Sequence, residues 1–277
     1  MDQLVLAIEC NPATDIVCTP ASVNELFETP VVFSIGGFDV NRAMLLMLFA
    51  AFLAIALLYS AYRRPRLVPT RFGAAMEGLV GFVRDEVAVG IIGPEGVKYF
   101  PYLVSLFFFI LIGNFFEITP LINFPITSRM AIPMFLALLT WVIFVFVGLK
   151  KHGLGYLKET LFPPGVPKPL YLLVTPIELV STFIVRPFSL AVRLFANLVA
   201  GHVMLSLLLV SGFVFLTDVF GSGLSLGDRV FRLGWGSLWS LLGMAIFLFE
   251  ILVSLLQAYI FTLLSAVYIQ SSVHVEH

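Results

Sequence analysis

Charge is scarce in this chain. Asp, Glu, Lys and Arg together make up 12% of its 277 residues, about half the share usual in a globular domain. With 60% of residues hydrophobic and a mean hydropathy of +1.02, that scarcity excludes an ordinary soluble core and points to a membrane protein. The net charge of −1 leaves no basic balance with which to hold a nucleic acid. Histidine and cysteine are also few, and the four histidines have no metal-ligand spacing with the two cysteines, which argues against a metal site. Cys10 and Cys18 would either pair in an oxidising compartment or stay as two free thiols. No basic stretch precedes an apolar core at the N-terminus, so no cleavable signal peptide of ordinary type is expected. There is no GxxxxGK[ST] sequence to cradle nucleotide phosphates, and nothing calls for a cofactor.

What the chain has instead is long apolar runs. Residues 1–42, with six acids and only Arg42 as a base, read as an extramembrane segment, and 43–277 as a single membrane domain. Ala43–Tyr62, Tyr99–Ile122 and Met130–Leu149 each have the length of one span. Leu170–Gly212 and Leu233–Val273 are about twice as long as the hydrocarbon layer is thick. Neither has an NG, DG or PG turn at its middle. Each is therefore expected to be one long, strongly tilted helix, the first kinked at Pro176 and Pro187. The expected fold is an all-α polytopic membrane protein of about five membrane helices, the last two long and tilted.

Residues 70–92 differ. Phe72, Met76, Leu79 and Val83 recur at helical spacing among Arg71, Glu77, Arg84, Asp85 and Glu86. Such an amphipathic helix lies in the interface or packs beneath the bundle, with a soluble surface helix as the plainer alternative. The 28 phenylalanines are dense at 107–109, 115–116 and 144–146, as suits lipid-facing surfaces. Lys and Arg concentrate in loops 63–98 and 150–169, ten residues against four elsewhere outside the spans. The excess assigns those loops to the inside, with the N-terminus outside and the C-terminus inside.

Ionisable groups within the last two spans invite a functional reading, since each costs roughly 2.5–3.5 kcal/mol at the centre of a membrane helix. From Leu194 to Thr217 the only titratable side chain is His202, which closes the stretch RLFANLVAGH (193–202) that Arg193 opens. At about 100° per residue, Ser189, Ala196, Asn197 and Ala200 share the face of Arg193, small enough for another helix to approach closely. Arginine keeps its charge where a buried lysine loses it, so Arg193 would favour the ionised form of any carboxylate beside it and repel a passing proton. His202 points to roughly the opposite face and suits either proton relay or packing through a hydrogen bond. On the last span Glu250, Ser254 and Gln257 form one polar stripe, with Tyr268 further along, lining either a helix contact or a water path. Glu178, Arg186 and Glu117 are candidates for interfacial, snorkelling or paired roles as well as functional ones.

The segments PIELVSTFIVRPFSLAVRLFANLVAGH (176–202), LLQAYIFTLLSAVYI (255–269), GNFFEITP (113–120) and INFPITSRMAIP (122–133) closely resemble subunit a of F-type ATP synthases. The likeness covers nearly all of the chain beyond its first forty residues, and the wording of 160–202 is most similar to bacterial, actinobacterial versions. The resemblance implies a non-catalytic stator subunit that translocates protons beside a rotating ring of c subunits, together with subunit b of the peripheral stalk. It implies that Arg193 separates two aqueous half-channels and drives deprotonation of the ring carboxylate. His202 and Glu250 would serve the outer half-channel, Gln257 and Asn197 would flank the arginine, and Glu178 would lie near the inner half-channel. The spacing of Glu178 from Arg193 differs by one residue from some relatives. The implied location is the bacterial plasma membrane, with the mitochondrial inner membrane as the alternative.

Two rivals belong to other classes. A secondary transporter usually shows internal repeats and paired broken helices, and neither is evident here. A purely structural subunit of a respiratory complex has no need of Arg193, His202, Glu250 and Gln257 together.

Overall fold

The structure is a computed structural model and describes residues 8–9, 15–20, 31–35, 38–63, 70–119, 126, 129–153, 155–162, 167–221 and 224–274. Five helices are long and apolar enough to cross a membrane. Most of the described residues are helical, and two of the five helices are long, as expected. Helix α1 covers Arg42–Tyr62 and α2 covers Arg71–Phe82. Helix α3 covers Phe100–Ile118 and α4 covers Ala131–His152. The short α5 (Gly155–Leu161) is followed by α6 (Tyr171–Val180), α7 (Arg186–Asp218) and α8 (Leu226–Val273). Ahead of α1 lie two small antiparallel strand pairs, β1 (Ile8–Glu9) with β2 (Thr19–Pro20) and β3 (Val31–Ile35) with β4 (Phe38–Asn41).

Helices α6 and α7 form one continuous run of 48 residues, Tyr171–Asp218. Where a kink was expected, the ladder slips into a π turn over Ser181–Val185, closed by the Arg186 N–H donating to the Ser181 carbonyl. Pro187 supplies the reason. It has no N–H for the Phe183 carbonyl, and its ring would crowd that group in a regular helix. A second π turn, Val83–Val89, follows α2, whose first turn is capped by the Thr70 hydroxyl accepting from the Gly73 N–H at 3.2 Å.

The last helix begins seven residues before its apolar run does. Ser225 and Asp228 explain this, since they cap each other: the Asp228 N–H donates to Ser225 Oγ at 3.2 Å and the Ser225 N–H donates to Asp228 Oδ2 at 3.3 Å. That is the reciprocal arrangement of a capping box, with Asp in place of Glu. Arg232 on the extension pairs with Asp218 at the end of α7.

Burial separates the helices. In its most apolar window α3 is 72% buried and α1 only 17%. This corrects the reading of the phenylalanines as lipid-facing. Phe107 and Phe108 are core residues in an edge-to-face pair with ring centroids 5.5 Å apart, and Phe116 and Phe144 are buried too. Only Phe115 and Phe146 of the named clusters are clearly exposed. A helix packed on most sides reads the same in sequence as one bathed in lipid. Helix α1 instead exposes Leu48, Phe52, Ile55 and Tyr59, which recur along one side.

The chain divides into two compact units. The first comprises Met1–Leu45, Asn114–Ser128 and Ala196–Ser254, and the second Leu46–Gly113, Arg129–Phe195 and Leu255–His277. Within the first, α7 and α8 run antiparallel in close contact. A Cβ on Gly212 would press on Ser240, and one on Gly243 would come within 2.7 Å of Leu209 Cδ2. Residues 15–18 are tied to the same two helices. Trp239 Nε1 donates to the Ile16 carbonyl at 3.0 Å, and the Cys18 N–H donates to Ser211 Oγ at 3.0 Å. Cys18 is fully buried and disulfide-bonded; Cys10 lies outside the described residues.

Within the second unit, a polar seam runs between helices. Thr140 Oγ1 donates to the Leu136 carbonyl at 3.0 Å, which leaves the Tyr102 hydroxyl to donate to Thr140 across 2.7 Å. Tyr156 and Ser272 share a hydrogen bond of 3.0 Å, and Arg186 stacks over the Tyr268 ring at 5.5 Å from its centroid.

Candidate functional site

Three helices of the first unit bring ionisable groups together. Glu117 comes from the last turn of α3, His202 from α7 and Glu250 from α8, and all three are buried. His202 Nδ1 lies 3.7 Å from Glu117 Oε1, with side-chain exposures of only 4% and 1%. Glu250 rests its carboxyl directly on the backbone of α7 at Gly201, where a Cβ would collide with both carboxylate oxygens. Gly201 and His202 are adjacent, so both acids meet the same turn of α7. Glycine at 201 is what lets the carboxyl approach so closely.

The cluster has polar neighbours. Asn114 stands three residues before Glu117 on α3 and donates from Nδ2 to the Ser254 carbonyl at 3.4 Å. Both Asn114 and Ser254 are buried. Among the described residues, neither carboxylate oxygen of Glu117 accepts a hydrogen bond, and Asn114 Oδ1 has none either. Leaving such groups without partners in a dry interior costs about 1–3 kcal/mol each, more for a charged one. Groups of this kind suit a path that takes up water or protons.

The other expected residues fall differently. Arg193 is exposed, as are Ser189, Ala196 and Ala200 along the same side of α7, with Asn197 half-buried. Arg193 and His202 thus occupy opposite sides of one helix, as their spacing implies. Gln257 is buried, and its Nε2 has no hydrogen-bond partner among the described residues. Glu178 is half-buried on α6. The close pairs Gly212 with Ser240, Gly243 with Leu209, and Gly201 with Glu250 keep a nearly constant antiparallel register.

Glu117 and Asn114 are the residues that sequence reasoning undervalued. Their signal was present in GNFFEITP, an Asn and a Glu three residues apart and so on one helical face. What made it weak was that a single acid near the end of a span reads equally well as interfacial.

The family model described as ATP synthase A chain matches residues 43–270, which carries all of these groups. The chain belongs to the ATP synthase A chain family. It is 40% identical over 260 residues to ATP synthase subunit a of Frankia alni, covering 91% of this chain and 86% of that protein. It is 39% identical over 257 residues to ATP synthase subunit a of Rhodococcus erythropolis, with 92% and 90% covered. ATP synthase subunit a of Gluconacetobacter diazotrophicus is 38% identical over 248 residues, with 88% and 93% covered. An ATP synthase A chain is a component of the complex, and the five long apolar helices make this one an integral membrane protein. Family membership also disposes of the two rivals, the secondary transporter and the respiratory-complex subunit.

Proposed function

We propose that this chain is the proton-conducting stator component of an F-type ATP synthase of the bacterial plasma membrane, without catalytic activity of its own. Residues 43–277 act as one membrane domain beside a rotating ring of c subunits, and subunit b holds that domain against rotation. The observation that carries the reading is the division along α7: a permanent cation on an exposed face, and a buried imidazole among carboxyl groups on the other.

An arginine in the middle of a span is costly against lipid, so the face of Arg193 calls for a partner that brings an acid. Ser189, Ala196 and Ala200 keep that face low enough for a second helix to lie against it. A carboxyl carried past Arg193 on such a helix gives up its proton there, because the fixed charge favours the ionised form. The same charge keeps protons from leaking straight through.

His202, Glu250 and Glu117 line the outer half-channel, where each can take up and pass on a proton, with Asn114 and Ser254 able to hold the water between them. Gln257 and Asn197 flank the arginine. Glu178 serves the inner half-channel. The N-terminus lies outside and the C-terminus inside. The disulfide at Cys18 supports that orientation, since disulfides persist in oxidising compartments.

The test is ATP-driven proton pumping by the assembled complex. Arg193→Ala should abolish pumping while the soluble head still hydrolyses ATP, and Arg193→Lys should fail as well because lysine can deprotonate. Normal pumping by Arg193→Ala contradicts the proposal.

A further inference from the structure

Within the second unit, a cavity of about 650 Å³ opens at the end of α4. Its upper wall is apolar and belongs to the span itself, with Val142 and Phe146 both exposed. Its lower rim is basic and carries Lys98, Lys150 and Lys151 against a single acid, Glu95. Lys151 Nζ donates to both oxygens of Glu95 at 3.0 Å, so that acid is already satisfied. Lys98 adds to the field on Glu95 without a close contact, Lys150 makes no ion pair among the described residues, and both are exposed.

The rim is built rather than loose. Lys98 and Glu95 belong to a 3-10 turn, Pro94–Lys98, that the Lys151 pair ties to the end of α4. Gly96 in that turn sits so tightly on the Ala88 carbonyl that no side chain fits there. His274 Nε2 lies 3.3 Å from the Ile92 carbonyl and holds the preceding residues to the C-terminal end of α8.

We propose that this cavity is a binding site for an anionic phospholipid, with its phosphate between Lys98 and Lys150 and an acyl chain along Val142 and Phe146. A free phosphate would use the lysines but leave the apolar wall bare. A zwitterionic lipid would use the wall but gain little from the excess of cations on the rim. Basic pockets between membrane helices have this chemistry. The site draws on none of the residues of the proton path.

The test is lipid retention by the intact ATP synthase complex. Complexes carrying the wild-type chain, Lys98→Gln/Lys150→Gln or Val142→Trp are equilibrated in mixed micelles of phosphatidylglycerol and phosphatidylcholine. Bound lipid is then counted by native mass spectrometry, and ATP hydrolysis reports assembly. Wild type should retain phosphatidylglycerol in preference, and each variant should retain at least about five-fold less. Irradiation of the complex with Phe146→p-benzoylphenylalanine should attach a lipid. Equal retention by all three chains, or attachment of Phe146→p-benzoylphenylalanine to another subunit, overturns the proposal. Loss of the phosphatidylglycerol preference on adding inorganic phosphate overturns it too, by showing a phosphate site. None of these outcomes bears on the Arg193 test.

Discussion

Two pairs of an acid with a base teach opposite lessons about what a close contact means. In the second unit, Lys151 and Glu95 meet at 3.0 Å in good geometry, with side chains 36% and 42% exposed. In the first, His202 and Glu117 stand 3.7 Å apart, almost wholly buried, and the acid has no hydrogen bond among the described residues. The tighter pair is the less consequential. Water solvates Lys151 and Glu95 whether or not they meet, so their contact contributes little beyond fixing a turn. Burial removes that alternative from Glu117, His202 and Glu250, and a fold selected for stability alone would fill their place with apolar side chains. The cost of placing the groups, and not the length of the contact, marks the site.

The comparison breaks first at the buried acids. Glu250→Gln should lower passive proton flux through the complex by roughly 10²-fold, the scale of a lost proton-transfer group. Glu117→Gln should lower it by about ten-fold, as a contributor with His202 beside it. Exchanging His202 and Glu250 as a pair should restore more flux than either single change does, and a double exchange no better than the singles would separate them into independent residues.

A smaller effect sharpens the role of packing. Gly201→Ala places a methyl where the Glu250 carboxyl rests, and should cost about 1–3 kcal/mol of strain or move the acid. Flux should then fall while the complex still assembles. Gly113→Ala is the control, since a Cβ there meets nothing within 4 Å. Similar losses from both would show that Gly201 acts only through helix stability.

The smallest effect belongs to the exposed pair. The hydrogen bond from Lys151, the main influence, holds the Glu95 carboxyl below the usual carboxylate range, with Lys98 adding to it. A depressed acid contributes stability above its unfolded value and loses it as pH falls through its folded one. Lys151→Gln should therefore lower the thermal midpoint slightly at neutral pH, less in high salt and not at all in strong acid. A larger effect in acid than at neutral pH would reverse the sign of that coupling.

Much of the fold was legible because a span announces itself by length and composition. The helix ends were less so. The apolar run of α8 starts at Leu233, yet Ser225 and Asp228 begin the helix seven residues earlier, and that short capping signal lies outside the hydrophobic pattern. Phe107 and Phe108 were unreadable in another way, because hydrophobicity does not distinguish a neighbouring helix from lipid. Pro187 marked a disturbance in the long helix, though not that a π turn would absorb it. At the site, helical spacing alone put Arg193 and His202 on opposite sides. Glu117 needed the third dimension, since nothing in its own helix says that His202 lies across from it.

The most direct measurement of the central claim is passive proton flux through reconstituted complexes stripped of their soluble heads. Wild type is compared with Arg193→Ala, with and without a carbodiimide blocking the ring carboxylate. Wild-type flux should vanish on blocking, and Arg193→Ala should be unable to support coupled pumping when the head is restored. Flux that ignores both the blocked ring and Arg193 would make this chain a self-contained conductor and contradict the account.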